Sequence, residues 1–183
     1  NKLFLQNQNL INYINNEINK GQSFSIKEGI RNSKYETIIT IDGDGQNDPK
    51  DIYKLLDKYF SDPAIGLVGG IRKNRKDSFN KIISSKIANY VRQLILKDNC
   101  IDTGCSLKVF DKKTFINFPF FNGIHRFLPA LFLSFGKKTA FISVAHRHRL
   151  FGVSKYGTLK RLLNGIKDTY KVLKIIKSKR KID

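Results

Sequence analysis

Thr37-Ile38-Ile39-Thr40-Ile41-Asp42-Gly43-Asp44-Gly45-Gln46-Asn47-Asp48-Pro49 decides how this chain folds. A β-branched run stops at two carboxylates with one glycine between them, on a backbone loosened by a second glycine. The run reads as a strand and the Gly, Asn, Asp and Pro cluster as a loop directly after it. In an open α/β sheet, ligands bind at the carboxyl ends of strands, where these acids fall. If strand geometry persists, Asp42 and Asp44 point the same way, because side chains repeat with period two. With the amide oxygen of Gln46 they make an all-oxygen set suited to Mg²⁺ or Mn²⁺. A calcium loop is the rival reading of D-x-D, and it fails on spacing. The sixth position is Asn47, where glycine is needed, and the twelfth is Tyr53, where a bidentate Glu is needed.

Working outward, strands and helices alternate. Ile11 to Ile14 reads as a short strand, followed by a turn at Asn19-Lys20-Gly21-Gln22-Ser23. Ser23 to Arg31 starts a helix, with Ser25 and Glu28 spaced as a capping box. Pro49 suits the start of a helix reaching Phe60. Ala64 to Val68 is a second strand, ahead of the basic Ile71-Arg72-Lys73-Asn74-Arg75-Lys76. Phe79 to Leu96 carries apolar residues at helical spacing. Ser106 to Phe110 reads as a third strand, Ile124 to Phe135 as a helix and Thr139 to His146 as a fourth strand. The alternation predicts a layered α/β domain with a largely parallel sheet.

From Leu159 onward, Leu162, Leu163, Ile166, Tyr170, Leu173 and Ile176 share a helical face, while Lys160, Lys167, Lys171 and Lys174 lie away from it. A basic amphipathic helix suits an anionic bilayer surface; equally, it suits packing on the domain with its lysines in water.

At 183 residues the chain has room for one good core. It contains no methionine, position 1 included, which predicts a fragment or a processed product. Its polar, Asn-rich beginning does not resemble a signal peptide. The longest apolar stretch, Phe127 to Phe135, is about half of the ~20 residues that span a bilayer. The net charge of +19 attracts polyanions: nucleic acid, an anionic membrane surface or phosphorylated substrates. Cys100 and Cys105 are the only cysteines, too few with three scattered histidines for a structural zinc site, and they read as reduced cytosolic thiols. No binding motif supports a nucleic-acid module, and aromatic residues are not interleaved with the basic runs.

Three further segments each follow a strand or loop on what is expected to be the same rim. Arg72 and Arg75 offer the rigid fork that suits phosphate oxygens. Asp102-Thr103-Gly104-Cys105 precedes the third strand. His146-Arg147-His148-Arg149-Leu150-Phe151-Gly152-Val153-Ser154-Lys155-Tyr156-Gly157 has glycines, Ser154, Lys155 and Arg149 able to wrap an anion. His146 and His148 share a strand face, although a metal pair there is not favoured.

Together these segments resemble the family 2 inverting glycosyltransferases, in the dolichyl- or polyprenyl-phosphate sugar synthase branch. Asn19 to Ser23 is similar to the family's N-x-G-x-[SA] turn, and Asp42 to Pro49 to its D-x-D-x-Q-x-x-P motif. Gly70-Ile71-Arg72 with Arg75 is similar to G-x-R-x-x-R. Asp102 to Phe110 is similar to D-x-G-C/S-x-L/F-R-x-F, and Arg149 to Tyr156 to R-x-x-G-x-S-K-Y. His148 stands where many relatives have proline.

The resemblance implies a GT-A-like (Rossmann-like) domain over 1–157 lacking its first strand or strands, followed by the basic amphipathic helix over 158–183. Part of the donor pocket is then expected to lie outside this chain. It implies a nucleotide-sugar donor bound by Gly21, Asp42 and Arg72, and a Mg²⁺ or Mn²⁺ ion held by Asp42, Asp44 and Gln46. Asp102, Asp44 and Arg72 take the catalytic roles. The implied acceptor is a polyprenyl-phosphate lipid held by Arg75, Arg149, Ser154 and Lys155; a saccharide hydroxyl is the alternative. It places the protein on the cytoplasmic face of a membrane, in contact with an anionic surface and with no nucleic-acid partner.

Overall fold

The computed structural model describes residues 10–73, 79–148 and 158–179. Four strands, β1 (Thr37–Thr40), β2 (Ile65–Arg72), β3 (Lys108–Asp111) and β4 (Lys138–Val144), form one sheet in the order β1-β3-β2-β4. Six α-helices accompany them: α1 (Gln22–Arg31), α2 (Asp51–Phe60), α3 (Phe79–Leu96), α4 (Lys112–Ile116), α5 (Leu128–Ser134) and α6 (Thr158–Lys179).

The sheet is mixed. β3 runs antiparallel to both neighbours, whereas β2 and β4 pair in parallel. β1, β2 and β4 therefore share a direction, and their carboxyl ends share a rim. β3 starts at that rim, so the residues just before it cross the top of the sheet. The expectation of a largely parallel sheet holds for the directions of three strands and fails for the pairing, because β3 is inserted between β1 and β2.

Period-two alternation sorts the sheet's side chains onto two cores. Ile38, Leu67 and Phe110 face a cluster with Phe115, Phe118, Phe127, Leu131, Phe132, Val172 and Ile176, from α4, α5, α6 and the loops between them. Val68, Val109, Leu107, Cys105 and Val144 face the other way, against Leu55 of α2. β2 is buried from Ile65 to Gly70, as a near-continuous apolar run with partners on both sides should be. Gly70 is one reason this layer closes: an added Cβ would lie 2.9 Å from both Cys105 Sγ and Val144 Cγ2.

Several local expectations are corrected. Residues 11–14 have no strand partner and are irregular. The first helix is not closed by a Ser25–Glu28 box. Its N-cap is Gly21 at φ +83°, and Ser25 Oγ donates instead to the Gly21 carbonyl at 3.3 Å. The helix expected over 124–135 is broken at Phe127 into a 3₁₀ turn (Ile124–Arg126) and α5. The third strand begins at Lys108 rather than Ser106, although the Leu107 carbonyl still accepts the Gly70 N–H of β2 at 3.0 Å. β1 ends at Thr40 and residues 43–45 turn, so the period-two argument does not govern Asp42 and Asp44.

α6 commits part of its apolar side to the protein: Val172 and Ile176 are buried in the core with Leu173 against them, while Ile166 and Tyr170 face outward. Among the described residues no helix is long and apolar enough to cross a membrane.

Candidate functional site

The acidic loop is fastened at the carboxyl end of β1 by one hydroxyl. Ser106 Oγ accepts the Asp42 N–H at 3.1 Å and the Asn47 Nδ2–H at 2.8 Å, while its carbonyl accepts from Thr40 Oγ1 at 2.7 Å. Asp44 Oδ1 accepts the Gln46 N–H at 3.1 Å, an Asx turn that Gly45 completes at φ +76°. Asp42 Oδ1 accepts from Gln22 Nε2 at 3.2 Å, which brings the Gly21–Gln22 start of α1 to the same loop. The Asn19–Ser23 turn and the acidic loop, twenty residues apart, are thus one place.

The loop is also sewn to the chain leaving β4. Asn47 and His146 form an isolated antiparallel bridge, and the Arg147 N–H donates to the Gln46 carbonyl at 2.9 Å. The Ala145 N–H donates to Asp51 Oδ2 at 2.7 Å, and Arg147 pairs with Asp48. The Lys50 N–H holds the Asp48 carboxyl below the usual carboxylate range, with Arg147 adding to it. His146 is buried in this seam and His148 is exposed, so the two do not share a strand face.

At the carboxyl end of β2, Arg72 meets Asp102 in a forked pair. Nε donates to Oδ2 at 2.8 Å and Nη2 to Oδ1 at 2.7 Å, with the Arg72 N–H adding a third bond at 3.1 Å. Both side chains are largely buried, which makes the pair strongly oriented. Gly104 leaves room for it, since a Cβ there would lie 2.8 Å from Arg72 Nη2. The stretch from Asp102 to Ser106 therefore crosses the rim from Arg72 to Asp42. The resemblance implies catalytic roles for both Arg72 and Asp102 without pairing them; the structure brings them into contact.

Residues missed in the sequence organise this rim: Ser106, Asn47, Gln22, Asp51 and Arg147. None belongs to a residue type and spacing that signals chemistry. Arg75, Arg149, Ser154 and Lys155, the expected acceptor-phosphate residues, lie outside the described residues.

The donor set fits a hard divalent cation. Asp42, Asp44 and the Gln46 amide offer oxygen donors on one short loop, and Mg²⁺ typically takes one or two carboxylates with waters and substrate phosphates completing its shell. Among the described residues no three His, Cys, Asp or Glu side chains converge, so a cation here would rely on ligand oxygens beyond the loop. The nearby thiols are not metal-ready: burial pushes Cys105 up and Cys100 up to about 11.

Ser23 supports the first turn of α1 from below. Its Oγ accepts the Gly123 N–H at 2.8 Å and shares a 2.7 Å hydrogen bond with His125 Nδ1. Burial, with Lys108 and Arg126 nearby, lowers the His125 pKa from 6.5 to about 3. Between those values the unfolded chain binds a proton that the folded one refuses. His125 thus lowers stability as pH falls through this window and has no effect above it. Thermal melts of the chain should show a stability loss approaching about 1.4 kcal/mol per pH unit from this group, absent in His125→Gln. Parallel profiles for the two proteins would refute the assignment.

Comparison with known proteins follows the same lines. The family model for glycosyl transferase family 2 matches residues 2–118. The chain is 35% identical over 158 residues to dodecaprenyl-phosphate galacturonate synthase of Rhizobium johnstonii, covering 85% of this chain and 46% of that protein. It is 32% identical over 142 residues to undecaprenyl-phosphate 4-deoxy-4-formamido-L-arabinose transferase of Pectobacterium carotovorum, covering 78% of this chain and 43% of that protein. The chain thus spans less than half the length of these relatives. Among solved structures, glucosyl-3-phosphoglycerate synthase of Mycobacterium tuberculosis, crystallised with Mn²⁺, UDP-glucose and glycerol 3-phosphate, superposes with a TM-score of 0.64. That match has 13% identity and covers 84% of this chain and 56% of the other. The fold is of the GT-A type. A strand ending in a two-carboxylate loop, a mixed sheet of this order and a family match over most of the chain agree: it belongs to glycosyl transferase family 2.

Proposed function

We propose that the protein transfers a sugar from a nucleotide-diphosphate donor to a polyprenyl-phosphate lipid by inverting in-line displacement. The supporting observation is the rim itself, where the acidic loop and the residues leading into the basic glycine segment are joined by main-chain bonds. The named activities of the relatives, both acting on polyprenyl phosphates, favour the same acceptor class.

On this reading Asp42, Asp44 and Gln46 hold Mg²⁺ or Mn²⁺. When bound, such an ion neutralises charge developing on the leaving diphosphate. Arg72, held in orientation by Asp102, adds a fixed positive charge beside it. Gly21 lets the start of α1 approach the donor without a side chain in the way. A lipid phosphate needs no dedicated base, because its second pKa is near ~6 and it is largely ionised at neutral pH. Arg149, Ser154 and Lys155, with Arg75, hold that phosphate for attack at the anomeric carbon, while Asp102 orients the sugar's side of the rim.

The test is a donor panel on the complete protein with Mn²⁺ and polyprenyl phosphate, reading lipid-linked sugar. Lys155→Ala should raise the KM for the lipid phosphate about 10- to 100-fold, the worth of one charge-assisted hydrogen bond. If transfer to a neutral saccharide hydroxyl proceeds and Lys155→Ala leaves it unchanged, the phosphate acceptor is wrong.

A further inference from the structure

α3 turns polar side chains inward. Asn89 and Arg92 are 7% and 6% exposed, whereas Ile87, Tyr90 and Leu94 lie mostly in the open. An amphipathic helix ordinarily buries its apolar stripe. A buried amide and a buried guanidinium have to find polar partners within the protein. Both find them in one place, the loop over 97–106 that runs from the end of α3 to the rim.

Arg92 holds the first half of that loop. It pairs with the fully buried Asp98 and donates to the Cys100 carbonyl, and Asp98 Oδ1 accepts the Cys100 N–H at 3.2 Å. On either side of Asp98, Lys97 and Asn99 stand at φ +53°, a left-handed conformation that side-chain-bearing residues keep where their surroundings impose it.

Asn89 holds the second half. Its Nδ2 donates to the Ile101 carbonyl at 3.0 Å, and its Oδ1 accepts from Thr103 Oγ1 at 2.9 Å. One side-chain amide therefore grips the residue before Asp102 and the residue after it. Fixing the Ile101 carbonyl fixes the peptide plane from which Asp102 departs. The Ile101 side chain is 54% exposed, so α3 receives the main chain of this segment and not its apolar group. An amide suits the task because the carbonyl needs a donor while the threonine hydroxyl needs an acceptor. Leucine of similar volume supplies neither, and an ionised aspartate supplies only the second.

Asp102, placed in this way, takes the Nε–H, the Nη2–H and the main-chain N–H of Arg72. Orientation thus passes from α3 to Asp102 and on to Arg72. The acidic loop is fastened separately, by Ser106.

We propose that Asn89 is a positioning residue for the rim: it sets the direction of the Asp102 carboxylate and, through it, of the Arg72 guanidinium. Its effect on Arg72 is independent of the reaction, while its effect on turnover rests on the transferase reading. Hydrogen exchange at the Arg72 Nε–H, followed by ¹⁵N NMR on the 183-residue chain, reads the first. Asn89→Leu should speed that exchange at least about tenfold and leave the amides of β2 unchanged. Thr103→Val removes one of the two bonds at a partly exposed position and should speed it about threefold. Asp44→Asn should not alter it. In the complete protein Asn89→Leu should lower kcat about a hundredfold, the scale of a ~1 Å misplacement of a working group. The donor KM should stay within about threefold, because the acidic loop keeps its own anchors.

Exchange at Arg72 that neither variant changes overturns the proposal. So does an equal acceleration at Arg72 and throughout β2, since Asn89 would then brace the whole fold. Faster exchange at Arg72 with unchanged kcat upholds the placement and instead removes that arginine from the chemistry, which keeps the two failures apart.

Discussion

Asp44→Asn in the complete protein should abolish cation-dependent sugar transfer, lowering turnover about a thousandfold or more. That is the scale of several kcal/mol of charge stabilisation at a leaving group. The substitution is conservative where the fold is concerned. Asp44 Oδ1 accepts the Gln46 N–H, and an asparagine carbonyl oxygen accepts the same bond. The loop's other anchors, Ser106 to Asp42 and Asn47 to Ser106, do not involve residue 44. Melting temperature should therefore be unchanged while the charge that attracts a divalent ion is halved. Turnover equal to the parent's across a Mn²⁺ titration would remove the acidic loop from the chemistry. A parallel fall in stability and turnover would show only that the loop is structural.

Asp102→Asn should have the next largest effect, and on two readouts. The carboxylate satisfies three donors from Arg72 within a largely buried pair. Asparagine presents an amide N–H to the guanidinium and leaves a nearly buried cation without its counter-charge. Breaking such a pair destabilises by about 3–5 kcal/mol, whereas replacing both partners with apolar groups of similar size is close to neutral. Arg72→Met/Asp102→Leu should therefore recover most of the stability that Asp102→Asn loses. On the proposed mechanism, transfer should stay depressed about a hundredfold or more in both proteins, because Asp102→Asn leaves Arg72 without the carboxylate that orients it and the double variant removes the charge itself. If the double variant regains turnover along with stability, the pair is a brace for the rim and takes no part in catalysis.

Much of this was legible in the chain. The β-branched run into Asp42 announced β1 and its loop, and the alternation of elements announced a layered α/β domain. The reversal of β3 was not legible, since strand direction is set by which neighbours a strand meets across the chain and no short-range signal carries it. Nor was the pairing of Arg72 with Asp102, thirty residues apart, because spacing along a sequence says nothing of which loop crosses a rim. Ser106 escaped for another reason. A lone serine has no pattern, and its importance comes wholly from holding Asp42 and Asn47 at once. α3 teaches the opposite lesson. Its apolar periodicity correctly gave a helix over Phe79–Leu96, yet periodicity reports that a helix has two faces without reporting which one meets the protein.

The bridge between Asn47 and His146, with its neighbour bond from Arg147 to Gln46 across 101 residues, is made chiefly of main chain. It works as a hem: the fabric on either side can be re-dyed without moving the stitches. Side chains along this seam can be exchanged without moving it, because the bonds between Gln46–Asn47 and His146–Arg147 do not depend on them. The distance from the acidic loop to the chain leaving β4 is therefore set by backbone, so a lineage can change its taste while keeping its reach.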